Sequence, residues 1–268
     1  MTDIQLKSDF FKTLQAIDWW WVKRSIEATD KRALKQLTEF DRIAFTIEQS
    51  GSNNQSCLRR KLEVLVNKIT NLSKLPHSDF QIPRAAVLSE WFGDQPEDEA
   101  YLNNRYEEYS CYVSIFTEMK VYDQLRVETF CNIVFIPEQG GRKNPDFSAE
   151  HPRIGKTFVE VKSVNPPRLE EYRLMAKIIQ FVEVNKDYRE NILKKVKEAL
   201  EDAREQFDSA KAPPNRNNRI VFLNFIRGVD AKLQIDEGGR SLQRIFDTEV
   251  FSELEGRYEL QIREIETF

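Results

Sequence analysis

The stretch from Asn144 to Val164, NPDFSAEHPRIGKTFVEVKSV, concentrates the residues of this chain whose types and spacing could do chemistry. Its last part, KTFVEVKSV, reads as a β-strand rich in β-branched and aromatic residues, with Glu160 and Lys162 inside it. Side chains of a strand alternate between faces, so Phe158, Glu160 and Lys162 share one face and Val159 and Val161 the other. A carboxylate and an ammonium are thereby fixed side by side on a sheet. Asp146 begins the preceding strand, with Pro145 stiffening its approach, and the interval to Glu160 suits a hairpin-like return that brings the two carboxylates together. Carboxylates that close repel, and one keeps a proton unless a cation lies between them. Ligation by oxygen alone favours a hard ion, Mg2+ or Mn2+. Such an ion polarises a phosphodiester and lowers the pKa of a bound water for in-line attack. Lys162, held beside it, could orient that water or stabilise charge on the pentavalent transition state.

These residues need a sheet and covering helices to position them. ETFCNIVFIP is a nearly continuous apolar run that predicts a strand covered on both faces. EQGGRKN predicts a turn, and PDFSAE and KTFVEVKSV predict two further strands flanking the loop HPRIG. A Pro-containing segment, NPPRLEEYRLMAKIIQFVEVNKDYREN, follows and reads either as a lid or clamp or as a surface excursion. Then comes a helix with Leu193, Val196, Leu200, Ala203 and Phe207 on one side, and RIVFLNFI as a fourth strand. Before the first strand a long helix runs from about Asp98 to Arg126. Buried strands with covering helices argue α/β layers. From Ser8 to about Leu75 every strong periodicity is helical, interrupted by QSGSNNQS, and GDQPEDE (Gly93 to Glu99) is the expected junction. Two regions are expected: residues 1–95, all helical and serving substrate or partner binding, and residues 96–268, carrying the chemistry.

A third ligand is sought on the long helix. Its apolar stripe runs Cys111, Ile115, Glu118, Tyr122 and Leu125, so Glu118 occupies a place where spacing calls for an inward-facing apolar residue. Ionised carboxylates are rarely buried without a partner. Either Glu118 points at the same cation or it lies at the edge of the stripe and reaches solvent; Glu108, earlier on nearly the same face, is the reserve candidate.

Asp146 with its proline, followed by the Glu160-Val161-Lys162 triplet in an apolar strand, resembles the PD-(D/E)xK nuclease superfamily, also called restriction endonuclease-like. The order of elements over residues 98–227 is similar to that superfamily's core: a helix, three strands, a helix and a fourth strand, with a mixed central sheet flanked by helices. The resemblance implies a Mg2+-dependent endonuclease in which Asp146 and Glu160 bind metal and Lys162 assists the attacking water. It also implies a further metal ligand from the first core helix, the role carried to Glu118. The glutamine-plus-tyrosine motif of the recombination-nuclease branch is not found, which leaves the subfamily open. The alternative is a restriction endonuclease-like domain without cleavage, acting as a nucleic-acid-binding or assembly module.

Charge narrows the substrate. The net charge of −4 gives the whole chain no long-range attraction for polyanions. Between Gln139 and Arg168, however, Arg142, Lys143, Arg153, Lys156, Lys162 and Arg168 outnumber Asp146, Glu150 and Glu160, which suits a phosphate backbone. Nucleic acid, DNA before RNA, is the expected partner, and a homodimer is open. Three cysteines and two histidines, far apart, exclude a structural zinc site or a redox dithiol; Cys57, Cys111 and Cys131 read as small core residues. The lysine-rich stretch NILKKVKEALEDAREQF reads as a helix whose charges form a solvated face, and the tryptophans of DWWWVKR as core. A charged N-terminus and the lack of any long apolar run predict a cytoplasmic chain that does not enter a membrane.

Overall fold

In a computed structural model, which describes residues 4–27, 31–73, 99–137, 143–164, 186–225 and 248–265, the N-terminal apolar spacing becomes four helices. They are α1 (Asp9–Ala16), α2 (Trp20–Glu27), α3 (Lys31–Gln49) and α4 (Ser52–Ser73). Together with α5 (Glu99–Val127) from Asn103 onward, they form one compact unit. The first helix starts where two side chains meet its orphan N–H groups and a third holds the two residues before it. Ser8 Oγ accepts from Phe11 N, Asp41 accepts from Lys7 N and Ser8 N, and Glu48 accepts from Asp9 N and Phe10 N. Two carboxylates of α3 thus fix α1 by its N-terminus. Phe40 of α3 stacks on Phe116 of α5 with ring centroids 4.2 Å apart. The turn expected over QSGSNNQS contracts to Ser50 and Gly51: the positive φ of Gly51 (133°) reverses the chain, and Asn54 Nδ2 donates to Ser50 Oγ as α4 begins.

The second unit holds the sheet. Its strands are β1 (Cys131–Phe135), β2 (Phe147–His151), β3 (Gly155–Val164), β4 (Arg219–Phe225) and β5 (Gln261–Glu264), in the order β1-β2-β3-β4-β5. The first three are antiparallel neighbours, while β3, β4 and β5 run parallel. Parallel neighbours need crossovers, supplied by α6 (Lys186–Ser209) before β4 and α7 (Thr248–Tyr258) before β5. The chain is therefore α/β, a mixed five-stranded sheet with helices, preceded by N-terminal helices.

Local sequence sets the register that matters. Gly155 has φ 84°, a conformation that penalises any other residue, and it closes the turn that joins β2 to β3. Phe147 then pairs with Val159 and Ser148 with Phe158. On one face of the sheet Phe158, Val164, Val221 and Leu223 pack against Val196, Leu200, Ala203 and Phe207 of α6 and Leu254 and Tyr258 of α7. Each such fully buried side chain stabilises the fold by about 1.5–3 kcal/mol.

Three expectations need correction. The first strand is not covered on both faces: Cys131 and Asn132 are exposed, because β1 is an edge strand whose register breaks between Cys131 and Val134, with Asn132 at φ 49°. Cys131 is for the same reason exposed and not a core residue, and Cys57 and Cys111 are only partly buried. The stripe of α5 is wider than spacing suggested: Val113, Phe116 and Met119 are buried as well as Ile115, Tyr122 and Leu125. The α7 and β5 elements were not anticipated, since QIRE is short and alternates with charge. Residues 165–185, Arg142, most of the Gly93–Glu99 junction and the side chains of Trp20, Trp21 and Glu108 lie outside the described residues. Among the described residues no helix is long and apolar enough to cross a membrane.

Candidate functional site

The β2–β3 register, continued by one residue, sets Asp146 opposite Glu160. Reciprocal hydrogen bonds lock that meeting. Asp146 N donates to Glu160 Oε2 at 3.0 Å, and Val161 N donates to Asp146 Oδ2 at 2.8 Å. Lys162, two residues along the same strand face, places Nζ 2.8 Å from Glu160 Oε1. Asp146, Glu160 and Lys162 thus come together at one end of the β2–β3 pair.

Burial makes the cluster electrostatically unusual. The Glu160 carboxylate is 3% exposed and Lys162 17%. Loss of water, and next the charge of Asp146, push Glu160 well above the ordinary carboxylate range, against the pull of Lys162. For Lys162, burial draws the ammonium down, but Glu160 and Asp202 outweigh it and the net shift is upward.

Asp202 of α6 is the member that sequence reading missed. Its Oδ2 accepts a short hydrogen bond from Lys162 Nζ, and its Oδ1 lies 2.5 Å from Lys143 Nζ. Burial raises the Asp202 pKa, the bonds from Lys143 and Lys162 lower it more, and the net shift is downward. One turn on, Gln206 Nε2 donates to the Asn144 carbonyl at 3.1 Å. In KEALEDAREQF, Asp202 is one acid among several, and only its place beside the buried Leu200 and Ala203 separates it from the solvated face.

Glu118 is buried at 6% exposure, so the solvent-edge alternative does not hold. It belongs to the helical unit, where Lys61 Nζ of α4 lies 2.6 Å from its Oε2. Its burial therefore has an ionic partner of its own.

A hard divalent cation fits the donor chemistry at Asp146 and Glu160, because a buried carboxylate raised by a neighbouring carboxylate gains most from a cation. The Glu160 oxygens already accept from Lys162 and from Asp146 N, so a cation would take over part of this bonding. Among the described residues no group of three or more His, Cys, Asp or Glu side chains converges as a metal-holding cluster. No protein-family model, curated protein or solved structure matches the chain, and the site stands on its own geometry.

Proposed function

We propose that the protein is a Mg2+- or Mn2+-dependent endonuclease of the PD-(D/E)xK, restriction endonuclease-like type, acting on nucleic acid, DNA before RNA. One observation carries this: the buried Glu160 carboxylate stands against Asp146 on the neighbouring strand, with Lys162 on its other oxygen. The antiparallel β1-β2-β3 meander, a helix, and a parallel β4 are consistent with that core.

In this function Asp146 and Glu160 would hold the cation. When bound, the ion supplies Lewis acidity and a water of lowered pKa. Val161 N fixes Asp146 Oδ2, so the Asp146 carboxylate is oriented before any ligand arrives. Lys162 is a compact cation with three donors on a flexible stem. It can donate one N–H to Glu160 and another to an attacking water or a phosphate oxygen, a charge-assisted bond of the kind that stabilises developing negative charge. The exposed Arg153 and Lys156, at the β2–β3 turn, suit backbone phosphates. Glu118, which lies in the helical unit with Lys61 against its Oε2, is the further oxygen donor of this reading, and a separate variant tests that role.

A catalytically silent binding or assembly module is the second function to weigh. It is favoured by the closed ionic network, in which Lys162 is held by Glu160 and Asp202 together. Incubating the full chain with plasmid, linear and single-stranded DNA and with RNA, in Mg2+, Mn2+ or EDTA, separates the two. Metal-dependent cleavage that disappears in Asp146→Ala and Lys162→Ala supports the nuclease; retention of nucleic acid without cleavage supports the module. Equal cutting by wild type and both variants sinks the assigned site.

A further inference from the structure

Asp202 joins three parts of the site. From α6 it reaches Lys162 on β3 with one oxygen and Lys143, three residues before Asp146, with the other. The Gln206 bond to the Asn144 carbonyl repeats the tie one helical turn later. The helix is therefore registered against both segments that carry the carboxylates. We propose that Asp202 is a positioning residue, which keeps the Lys162 ammonium over the β3 face when a cation claims Glu160.

The physical reason lies in what Lys162 would do without it. A lysine stem is flexible and its ammonium strongly hydrated, so a single anchor holds it poorly. Glu160 is that single anchor if Asp202 is removed. A cation on Glu160 would repel the ammonium and turn the anchor's oxygens away, and Lys162, already 17% exposed, has a path to water. With Asp202 in place one partner survives, and Lys143 on the opposite oxygen holds that partner in position. The cation half of this proposal rests on the nuclease function, whereas the grip of Asp202 on Lys162 does not.

Lysine-selective 15N NMR of the full-length, metal-free protein tests the grip directly, because an ammonium held by hydrogen bonds exchanges its protons slowly enough to be observed. The wild type should show a slowly exchanging ammonium signal that Lys162→Arg removes, which assigns it. Asp202→Asn should speed exchange roughly tenfold, the size expected for one lost charge-assisted hydrogen bond, and Asp202→Glu should restore slow exchange. A wild type without a slow Lys162 signal overturns the proposal whatever the variants do, and so does Asp202→Asn exchanging like wild type. Added Mg2+ should leave the wild-type signal slow and abolish it in Asp202→Asn. Site resonances that ignore Mg2+ in the wild type would overturn the cation half and the nuclease function with it, while the metal-free rates still decide the grip.

Discussion

Two buried glutamates in this chain each face a lysine, and they teach opposite things. In the helical unit, Glu118 of α5 and Lys61 of α4 approach to 2.6 Å. In the sheet unit, Glu160 and Lys162 approach to 2.8 Å, but Asp146 crowds the same glutamate and Asp202 claims the same lysine. The first joins two helices of one unit, an ion pair of the sort that fixes how helices meet. The second is shared: Lys162 lies between Glu160 and Asp202, Lys143 takes the other oxygen of Asp202, and Asp146 stands against Glu160. That arrangement costs the fold stability, since the neighbouring Asp146 and burial both disfavour the charged Glu160. A cation and a phosphate-bearing substrate would have a use for it.

The contrast can be broken by substitution, and the largest effect should fall on the sheet unit. Asp146→Ala or Lys162→Ala should lower the rate of metal-dependent DNA cleavage on the order of 10²–10⁴-fold, measured by plasmid nicking, with the fold retained by circular dichroism. Glu118→Gln should act on stability instead, because it removes the charge that faces Lys61. Removing one partner of a fully buried pair costs about 3–5 kcal/mol. Because Lys61 is 27% exposed, a smaller loss of about 1–3 kcal/mol is expected in urea unfolding. A large loss of cleavage with unchanged stability would instead make Glu118 a ligand.

Next in size is a pH effect with a definite sign. The folded state holds a proton on Glu160 above the ordinary glutamate value, so it binds more protons than the unfolded chain in the window between the two. Stability of the metal-free protein should therefore fall as pH rises from about 4.3 through the raised Glu160 value. Glu160→Gln should flatten that fall, and so should saturating Mg2+. Asp202 acts in a lower window with the opposite sign: its depressed pKa stabilises above the ordinary aspartate value and is lost as pH drops below it. The smallest effect belongs to Lys143→Ala, whose ammonium is fully exposed; thermal unfolding should show no measurable shift.

How much of this was legible in the sequence depends on the range of the interaction. Strand alternation put Glu160 and Lys162 on one face, and the hairpin spacing put Asp146 opposite, because both are local rules with a period of two and a short turn. The helix α6 was legible from Val196, Leu200, Ala203 and Phe207. Asp202 was not, because it meets Lys162 across 40 residues of chain and nothing local marks it among its acidic neighbours. The pairing of Glu118 with Lys61 was hidden for the same reason: the glutamate's inward place could be read from spacing, but its partner lies on another helix. The exposure of β1 escaped because an apolar run does not reveal which strand ends at an edge or carries a bulge.

Calorimetric titration of Mn2+ into the wild type, Asp146→Asn, Glu160→Gln and Glu118→Gln tests most directly whether the Asp146–Glu160 pair in the sheet unit is a cation site. Saturable binding in the wild type should weaken by at least roughly tenfold in Asp146→Asn and Glu160→Gln and stay unchanged in Glu118→Gln. A wild type that takes up no Mn2+, or a Glu160→Gln variant that binds it as tightly, would contradict the assignment.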